Sequence, residues 1–349
     1  MDLNKNLIQL GTRVYNSKST TMEADEKVII ELVGKAFNSS NNSIDNYQAY
    51  RDLNQLIVLT ADTLQKPNNQ QTINLVTDYK KVNVNDNAKY SVDDKLTRVS
   101  TALTATGAGV NFTKIPTSRK VVFATPIKHQ FGVKYSISEM ISDPVNKFRE
   151  AVNLVNEEKT RYILSQIYVL TREASANSKI PSRQKSEGAS LAFSKFKSIE
   201  SSLLRYGRNV KPVMVADTLF INSLAEKQAT ELVSGSTTPL YLTDDLKNSL
   251  LRDATIEQIS KTLAISIDNP YTDNMNSKVD LPVNEAIMVA GGSASPFKVT
   301  EFGTMAVLSD TVQEHLETED AYMKISYTVD ITLLLNRAIG YIKDTSVVL

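Results

Sequence analysis

Apolar and polar residues alternate most regularly near the C-terminal end of the chain. Every odd position of 323–335 is apolar, and the even positions are polar except Leu334. A period of two predicts a strand with one buried and one solvated face, here longer than the usual five or six residues. Tyr341 and Ile342, which follow Gly340, are expected to continue the same sheet.

A helical period marks the centre of the chain. Apolar residues recur at steps of mainly three or four between Pro144 and Ala174, and no glycine or proline interrupts them until Pro181. Asp143 followed by Pro144 is a typical helix start, with a capping carboxylate and a proline at the first helical position. The pattern predicts one helix roughly 45 Å long. Its polar centre, 157–161, is expected to be solvated or to contact another chain.

The first 66 residues predict two helices. One begins near Thr21, and a second is expected from Ile44 to Gln65, where Pro67 stops it. Two interpretations stay open, an ordinary helical hairpin or an arm that packs on a neighbouring subunit. Because asparagine is frequent here, this quarter of the chain is expected to be the less tightly packed part.

Residues 70–138 predict extended structure with little core. Apolar and polar residues alternate at 82–85, 90–92 and 131–137, which indicates half-buried strands. Few large apolar residues lie between these segments. Because a two-stranded ribbon is marginal in water unless one face is covered, this ribbon must lie on another surface.

Residues 189–290 predict a compact α/β unit. A helix is expected to end at Gly207, and others to begin at Asp217 and at Asp244 or Asp245. Short apolar runs predict buried strands at 213–216, 263–267 and 286–290. The polar segment 269–284, with two prolines, is expected to be a mobile loop.

Composition excludes several classes of function. The chain has 349 residues, no cysteine, two histidines and a formal net charge of zero. Disulfides, thiolate metal sites and cysteine nucleophiles are therefore excluded, and no net charge attracts the chain to nucleic acid. No run is long enough for a membrane span, and the N-terminus lacks a signal-peptide pattern. We expect a protein made in a cytoplasm, without a cofactor, whose neutrality suits assembly.

No catalytic motif is found. The nucleophile elbow, the phosphate loop and the zincin motif are absent. Gly107 and Gly109 are expected to form a turn or a bulge, and Gly291-Gly292 gives poor support for a dinucleotide site because no capped helix follows it. A loop with three carboxylates could hold a hard cation, but its spacing favours solvated turn residues: Asp268, Asp273 and Asp280. An acidic cluster is read as a solvated face: Glu314, Glu317, Glu319 and Asp320, beside His315. His129 is expected to be exposed or hydrogen-bonded.

The order of these parts resembles the major capsid proteins of tailed bacteriophages, which have the Hong Kong 97-like α+β fold. The resemblance implies five regions: an N-terminal helical arm (1–66), an extended β-hairpin called the E-loop (67–138), the spine helix of a P-domain (139–188), an α/β A-domain (189–296) and returning P-domain strands (297–349). It also implies that the E-loop lies across an adjacent subunit, which would supply the surface that the ribbon needs.

The implied function is structural rather than enzymatic. Copies would self-assemble into hexamers and pentamers of an icosahedral phage head that encloses double-stranded DNA, contacted only non-specifically. Scaffolding, portal and decoration proteins are the expected partners, no membrane is involved, and the virion, assembled in the host bacterial cytoplasm, is the expected location. No ribbon lysine or C-terminal asparagine can be assigned to the isopeptide cross-link of some members, and an uncleaved arm is expected.

Polar, apolar and charged side chains of the ribbon and of the helix centre are the candidate contacts between subunits. They are Lys80, Lys81, Val82, Val84, Tyr90, Arg98, Phe112, Arg119, Lys120, Glu157, Glu158 and Arg161. Hinges are expected near Gly107, Gly132 and Gly188. Three alternatives stay open: an encapsulin-like cellular shell, another self-assembling phage part, and a carboxylate-using enzyme or ligand-binding protein built on residues 189–296.

Overall fold

The computed structural model describes residues 2–16, 22–63, 67–92, 120–230, 258–292, 294–309 and 319–349. The helices of these ranges are α1 (Asp2–Asn16), α2 (Met22–Ala36), α3 (Tyr47–Thr63), α4 (Pro67–Val76), α5 (Ile137–Ser142), α6 (Pro144–Ala176), α7 (Phe193–Tyr206) and α8 (Thr218–Thr230). The predicted helix near 244–245 and the turn at 107–109 lie outside the described residues. None of the described helices has the length and apolar character needed to cross a membrane.

The strands of the described ranges form two larger sheets and two small pairs. They are β1 (Phe37–Asn38), β2 (Ser43–Ile44), β3 (Thr77–Val82), β4 (Lys89–Val92), β5 (Lys120–Phe123), β6 (Lys128–Ser136), β7 (Lys185–Gly188), β8 (Val213–Ala216), β9 (Gln258–Ile259), β10 (Thr262–Ser266), β11 (Glu285–Val289), β12 (Phe297–Ser309), β13 (Asp320–Leu333) and β14 (Ile339–Asp344). The strands predicted at 90–92, 131–137, 213–216, 263–267 and 286–290 are confirmed, apart from end residues.

A four-stranded sheet holds the long C-terminal strand. Its order is β3-β12-β13-β6, with β13 antiparallel to both of its neighbours and β3 parallel to β12. Odd positions of β13 from Ala321 to Val329 are at most 5% exposed, which confirms the predicted buried face. The segment predicted as a strand at 82–85 is a strand only at Val82, because the chain turns at 84–85.

The central helix is confirmed. The helix α6 has 33 residues, and the Asp143 side chain accepts a hydrogen bond from the Asn146 backbone N–H at its start. At 1.5 Å per residue it is about 50 Å long. Phe148, Val152 and Ile163 are among its buried residues in the main core. This helix lies under one face of the four-stranded sheet, here called the inner face.

The N-terminal helices belong to the core of their own chain. Leu53, Leu56 and Ile57 of α3 are fully buried, and Tyr50 donates a hydrogen bond to the Tyr322 carbonyl of β13. The expectation of a loosely packed first quarter is therefore wrong for the described residues, because α3 supplies a continuous apolar side that outweighs the asparagine content. Pro67 is the first residue of α4, a position where its missing N–H costs nothing.

The second sheet has six strands, in the order β7-β14-β11-β8-β10-β9. Tyr341 and Ile342 lie in β14, which pairs with β11 and β7 rather than with β13. The prediction that they continue the C-terminal sheet is thus wrong. A short 3₁₀ turn at Asn336–Ala338 redirects the chain, and the Ala290 N–H bonds to the Ala338 carbonyl as the new strand begins.

The polar loop 269–284 is held by its own side chains. Asn269 donates to Asp217 and to the Leu281 carbonyl, and Asp273 accepts from the Ser277 and Lys278 backbone. Asp280, another of the three candidate cation ligands, pairs with Arg161 of α6. Asp273 and Asp280 thus both have partners within the protein. Within the described ranges, no three acidic or histidine side chains come together as a metal site.

Asp344 ties the last strand to the loop before α7. Its carboxylate accepts hydrogen bonds from the Ser190 and Leu191 backbone and from Lys227 Nζ at 2.5 Å. Burial disfavours the charged form, but the hydrogen bonds from Lys227, Ser346 and Leu191 outweigh it, so the pKa of Asp344 lies well below its ordinary value.

We expect this group to make stability depend on acid pH. A depressed folded-state pKa adds stability above the unfolded pKa of about 3.9, and that stability is lost as the pH falls further. Asp344→Asn should therefore lower the free energy of unfolding by about 2 kcal/mol at neutral pH and flatten its decline between about pH 5 and pH 2. Urea unfolding across that range is the measurement, and equal slopes for both proteins would contradict the assignment.

Candidate assembly surface

The base of the ribbon lies on the outer face of the four-stranded sheet, opposite α6. β4 and β5 form a two-stranded antiparallel pair, and Tyr90 of β4 is 5% exposed. Tyr90 Oη lies 2.5 Å from Thr300 Oγ1, and the ammonium groups of Lys80 and Lys298 lie 5.1 and 5.7 Å from the centre of its ring. These contacts attach the described base of the ribbon to its own chain, so this part of the ribbon already has a receiving surface.

The two consecutive lysines of β3 contact opposite faces of the sheet. Lys80 lies against Tyr90 on the outer face, whereas Lys81 Nζ lies 2.6 Å from Asp62 Oδ2 and 3.6 Å from Glu301 Oε1 on the inner face. Neighbouring residues of a strand alternate between faces, which explains the division. Lys81 is therefore engaged within the chain in this structure.

A charged cluster joins α3, α6, β3 and β12 beneath the sheet. Lys159 Nζ lies 3.1 Å from Asp62 Oδ1 and 2.8 Å from Glu301 Oε1, and Tyr79 donates to Glu301 Oε2. The Asp62 and Glu301 side chains are each 2% exposed. With Lys81 as the second cation, two carboxylates face two ammonium groups, so the buried charges balance.

Burial and pairing with opposite charges set the pKa values of Asp62 and Tyr79 in this cluster. We call the cluster the lock; its members are Asp62, Tyr79, Lys81, Lys159 and Glu301. Burial raises the pKa of Asp62, but the charges of Lys159 and Lys81 outweigh it and the net pKa is lowered. Burial and the Glu301 charge raise the pKa of Tyr79 far above its usual range. The Asp62 carboxylate is thus ionised and the Tyr79 phenol is neutral at neutral pH.

The polar centre of α6 divides between the two sides of the helix. Arg161 pairs with Glu158 at 3.6 Å and with Asp280 of the 269–284 loop. Lys159 and its neighbour Thr160 are buried within the chain. The expectation that the centre is solvated or contacts another chain is therefore wrong at Lys159 and Thr160, while Glu157, Glu158 and Arg161 remain predicted contacts.

Apolar side chains are exposed on the side of the ribbon away from the sheet. Val121 and Phe123 of β5 are 42% and 60% exposed.

Val84 is 65% exposed and covers Gly303 of β12, where a Cβ would come within 2.6 Å of the valine. Val82 is half-buried at the end of β3.

Three of the predicted contact residues lie outside the described residues: Arg98, Phe112 and Arg119. Lys120 begins β5, and its side chain also lies outside what is described. His129 of β6 is within 3.3 Å of Tyr162, with its pKa lowered by burial, so the prediction of a hydrogen-bonded histidine is confirmed.

Sequence reasoning missed Asp62, Lys159 and Glu301. A signal for Lys159 was present, because it stands in register with the buried stripe of Val155 and Ile163. A charged residue on an apolar stripe needs a buried partner. Nothing in the sequence indicated that the partners come from α3 and β12.

The α/β unit carries a cleft of about 800 Å³ beside the ends of β8 and β10. Asp217 and Asp268 lie on its wall with Leu219 and Tyr271. Asp217 caps α8 by accepting from the Leu219 N–H, and it also accepts from Asn269. This carboxylate is thus occupied by structural hydrogen bonds.

The fold matches solved structures. One from Microbacterium phage Oxtober96 has a TM-score of 0.52 at 11% identity and covers 81% of this chain and 94% of that one. The holo-SrpI encapsulin complex of Synechococcus elongatus PCC 7942 matches with a TM-score of 0.43 at 12% identity over 78% and 86% of the two chains. The observed architecture is the Hong Kong 97-like α+β fold predicted above.

Sequence comparison identifies the family. The model described as "SPbeta prophage-derived putative capsid protein YonB" matches residues 6–343. A protein of Bacillus subtilis (strain 168), described as "SPbeta prophage-derived uncharacterized protein YonB", is 32% identical over 341 residues, which cover 97% of this chain and 96% of that protein. The chain belongs to the YonB family of prophage-derived capsid proteins.

Proposed function

We propose that this protein is the major shell subunit of a phage or prophage head, and that it assembles into hexamers and pentamers of an icosahedral shell around double-stranded DNA. The family match over residues 6–343 is the observation that carries the proposal. Scaffolding, portal and decoration proteins are the proposed partners, and the virion is the proposed location.

The ribbon supports this role. Its base is attached to the sheet through Tyr90, while Val121 and Phe123 leave an apolar surface exposed to a neighbour. Exposed apolar area of this kind is typical of surfaces that another protein covers. We propose that the ribbon, together with Glu157, Glu158 and Arg161 of α6, contacts adjacent subunits.

Assembly of the purified full-length chain tests the proposal. Sedimentation velocity should show a species of megadalton mass, and negative-stain electron microscopy should show closed, round particles. A control variant that lacks 92–115 should stay soluble and form no shell, because it lacks the tip of the ribbon. A full-length protein that remains a small oligomer at high concentration contradicts the proposal.

The contents of the particle separate a phage head from an encapsulin-like shell. Particles produced with the other products of their phage genome should hold DNA that resists added nuclease. Particles that enclose a protein cargo and no DNA would favour the cellular compartment instead.

A further inference from the structure

The strand β6 forms one edge of the four-stranded sheet, and within the described ranges no strand pairs with it on the side away from β13. It is nine residues long, and four of its residues are exposed: Lys128, Gln130, Gly132 and Lys134. An open edge presents unpaired backbone donors and acceptors that can pair with another chain.

The hydrogen-bond register shows which backbone groups are available. The Ile137 N–H bonds to the Glu319 carbonyl, and the Val329 N–H bonds to the Ile127 carbonyl, both in the register that joins β6 to β13. In an antiparallel pair, such bonded positions alternate with positions whose N–H and C=O groups point away. The odd residues of β6 therefore bond to β13, and the even residues direct their backbone groups to the open edge.

Gly132 stands at the middle of this edge. A Cβ built there would project from a face of the sheet and meets no atom within 4 Å, so that face is open at Gly132. Glycine within a strand often marks a place where another backbone comes close. The two lysines of this edge, Lys128 and Lys134, lie toward its two ends.

We propose that β6 pairs antiparallel with β6 of a second copy, with the two Gly132 residues facing each other on a two-fold axis. This inference rests on the proposed self-assembly and names one contact within it. The register opposes Gln130 to the second copy's Lys134 and Lys128 to its Ser136, so that all nine residues overlap and the even positions meet as bonded pairs. The two sheets then become one eight-stranded sheet.

Charge selects this register over its neighbour. A shift that centred the pair on Phe131 would place Lys128 directly opposite the second copy's Lys134, and like charges in that position are destabilising. Centred on Gly132, each lysine faces an uncharged residue. A self-complementary edge of this kind fits a second copy of the same chain, since a two-fold contact uses the same surface on both partners.

Two substitutions at Gly132 test the role of the edge in assembly. Gly132→Pro removes an N–H that β13 does not use, and proline is tolerated on an edge strand when its nitrogen faces outward. We expect this variant to keep its circular dichroism spectrum and melting temperature but to form no shells. Gly132→Ala keeps the N–H and meets no neighbouring atom, so it should assemble like the unmodified protein.

Disulfide trapping tests the register independently. The chain has no cysteine, so one introduced thiol reports one contact. Residues facing each other in a bonded antiparallel pair have Cα atoms about 5.5 Å apart, within the range of a disulfide. Gly132→Cys should therefore give a covalent dimer on a non-reducing gel. Lys134→Cys should not, because the two Lys134 positions would lie about 14 Å apart along the strands.

The outcomes separate this inference from the proposed function. Shells formed by Gly132→Pro, or absence of the Gly132→Cys dimer in assembled protein, overturn the edge pairing and leave the shell function standing. A Gly132→Cys dimer without shells in any variant supports the pairing and overturns the shell function. Absence of both overturns both. If Gly132→Pro fails to fold, the cysteine variants decide the question.

Discussion

Replacing Ile325 and Val329 together by aspartate should abolish folding. Both side chains lie on the buried face of β13, at 0% and 1% exposure, against α6 and its neighbours. Each substitution places a carboxylate without a partner in the core at a cost above about 4 kcal/mol, and the pair together equals or exceeds the whole stability of a typical domain. Circular dichroism and near-ultraviolet spectra of the purified chain are the measurement.

The matched control is Lys324→Asp, on the opposite face of the same strand. Lys324 is exposed, so its substitution should change the free energy of unfolding by no more than about 0.5 kcal/mol. A double variant with native spectra and a native unfolding midpoint would show that this face of β13 is not in the core.

The lock beneath the sheet has the second largest expected effect. Lys159→Met leaves the buried Asp62 and Glu301 carboxylates with Lys81 as the remaining nearby cation, which should cost about 3 kcal/mol or more. Urea unfolding at neutral pH measures the loss. Lys81→Met is the comparison: Lys81 is 39% exposed against 11% for Lys159, so water compensates part of its loss and the effect should be smaller.

A second-site change distinguishes lost charge balance from lost packing. In the Lys159→Met background, two carboxylates share Lys81, and Asp62→Leu removes one of them, so one cation faces one carboxylate again and part of the stability should return. Equal losses of unfolding free energy for Lys159→Met and Lys81→Met, with no recovery in the Lys159→Met, Asp62→Leu double variant, would contradict the role of charge balance in the lock.

The sequence predicted elements well where one periodicity extends over many residues. α6 and β13 are the clearest cases, since their repeats of 3.6 and two residues run through more than ten positions each. Short elements were harder: Val84 alternates like a strand residue but lies in a turn, and among the described residues the pairing of β3 ends at Val82.

The sequence predicted the positions of the elements in the fold less well than the elements themselves. Continuity along the chain predicts that Tyr341 lies in the sheet of β13, but a turn at 336–338 moves it to the other sheet. The loose N-terminal quarter was inferred from asparagine content, yet Leu53 and Ile57 decide its packing through their partners in the core. Composition averages over residues, whereas packing depends on which faces meet.

In the candidate site too, the sequence predicted local features but not the contacts between distant segments. The sequence predicts Tyr90 and the two β3 lysines as contacts between subunits, and the structure gives each of them a partner in the same chain. Alternation along β3 already placed Lys80 and Lys81 on opposite faces. The identity of the groups on those faces depended on β12 and α3, which are distant in sequence.

The amino-acid sequence by itself determined the long helix, the long strand, the absence of thiol chemistry and the order of parts that marks a capsid fold, because these depend on local periodicity and residue type. The tertiary structure decided that Lys159 is buried between Asp62 and Glu301, that the last strand crosses to the second sheet, and that no described strand pairs with the open edge of β6. Pairings between distant segments depend on the geometry of the whole chain, and no local pattern encodes them.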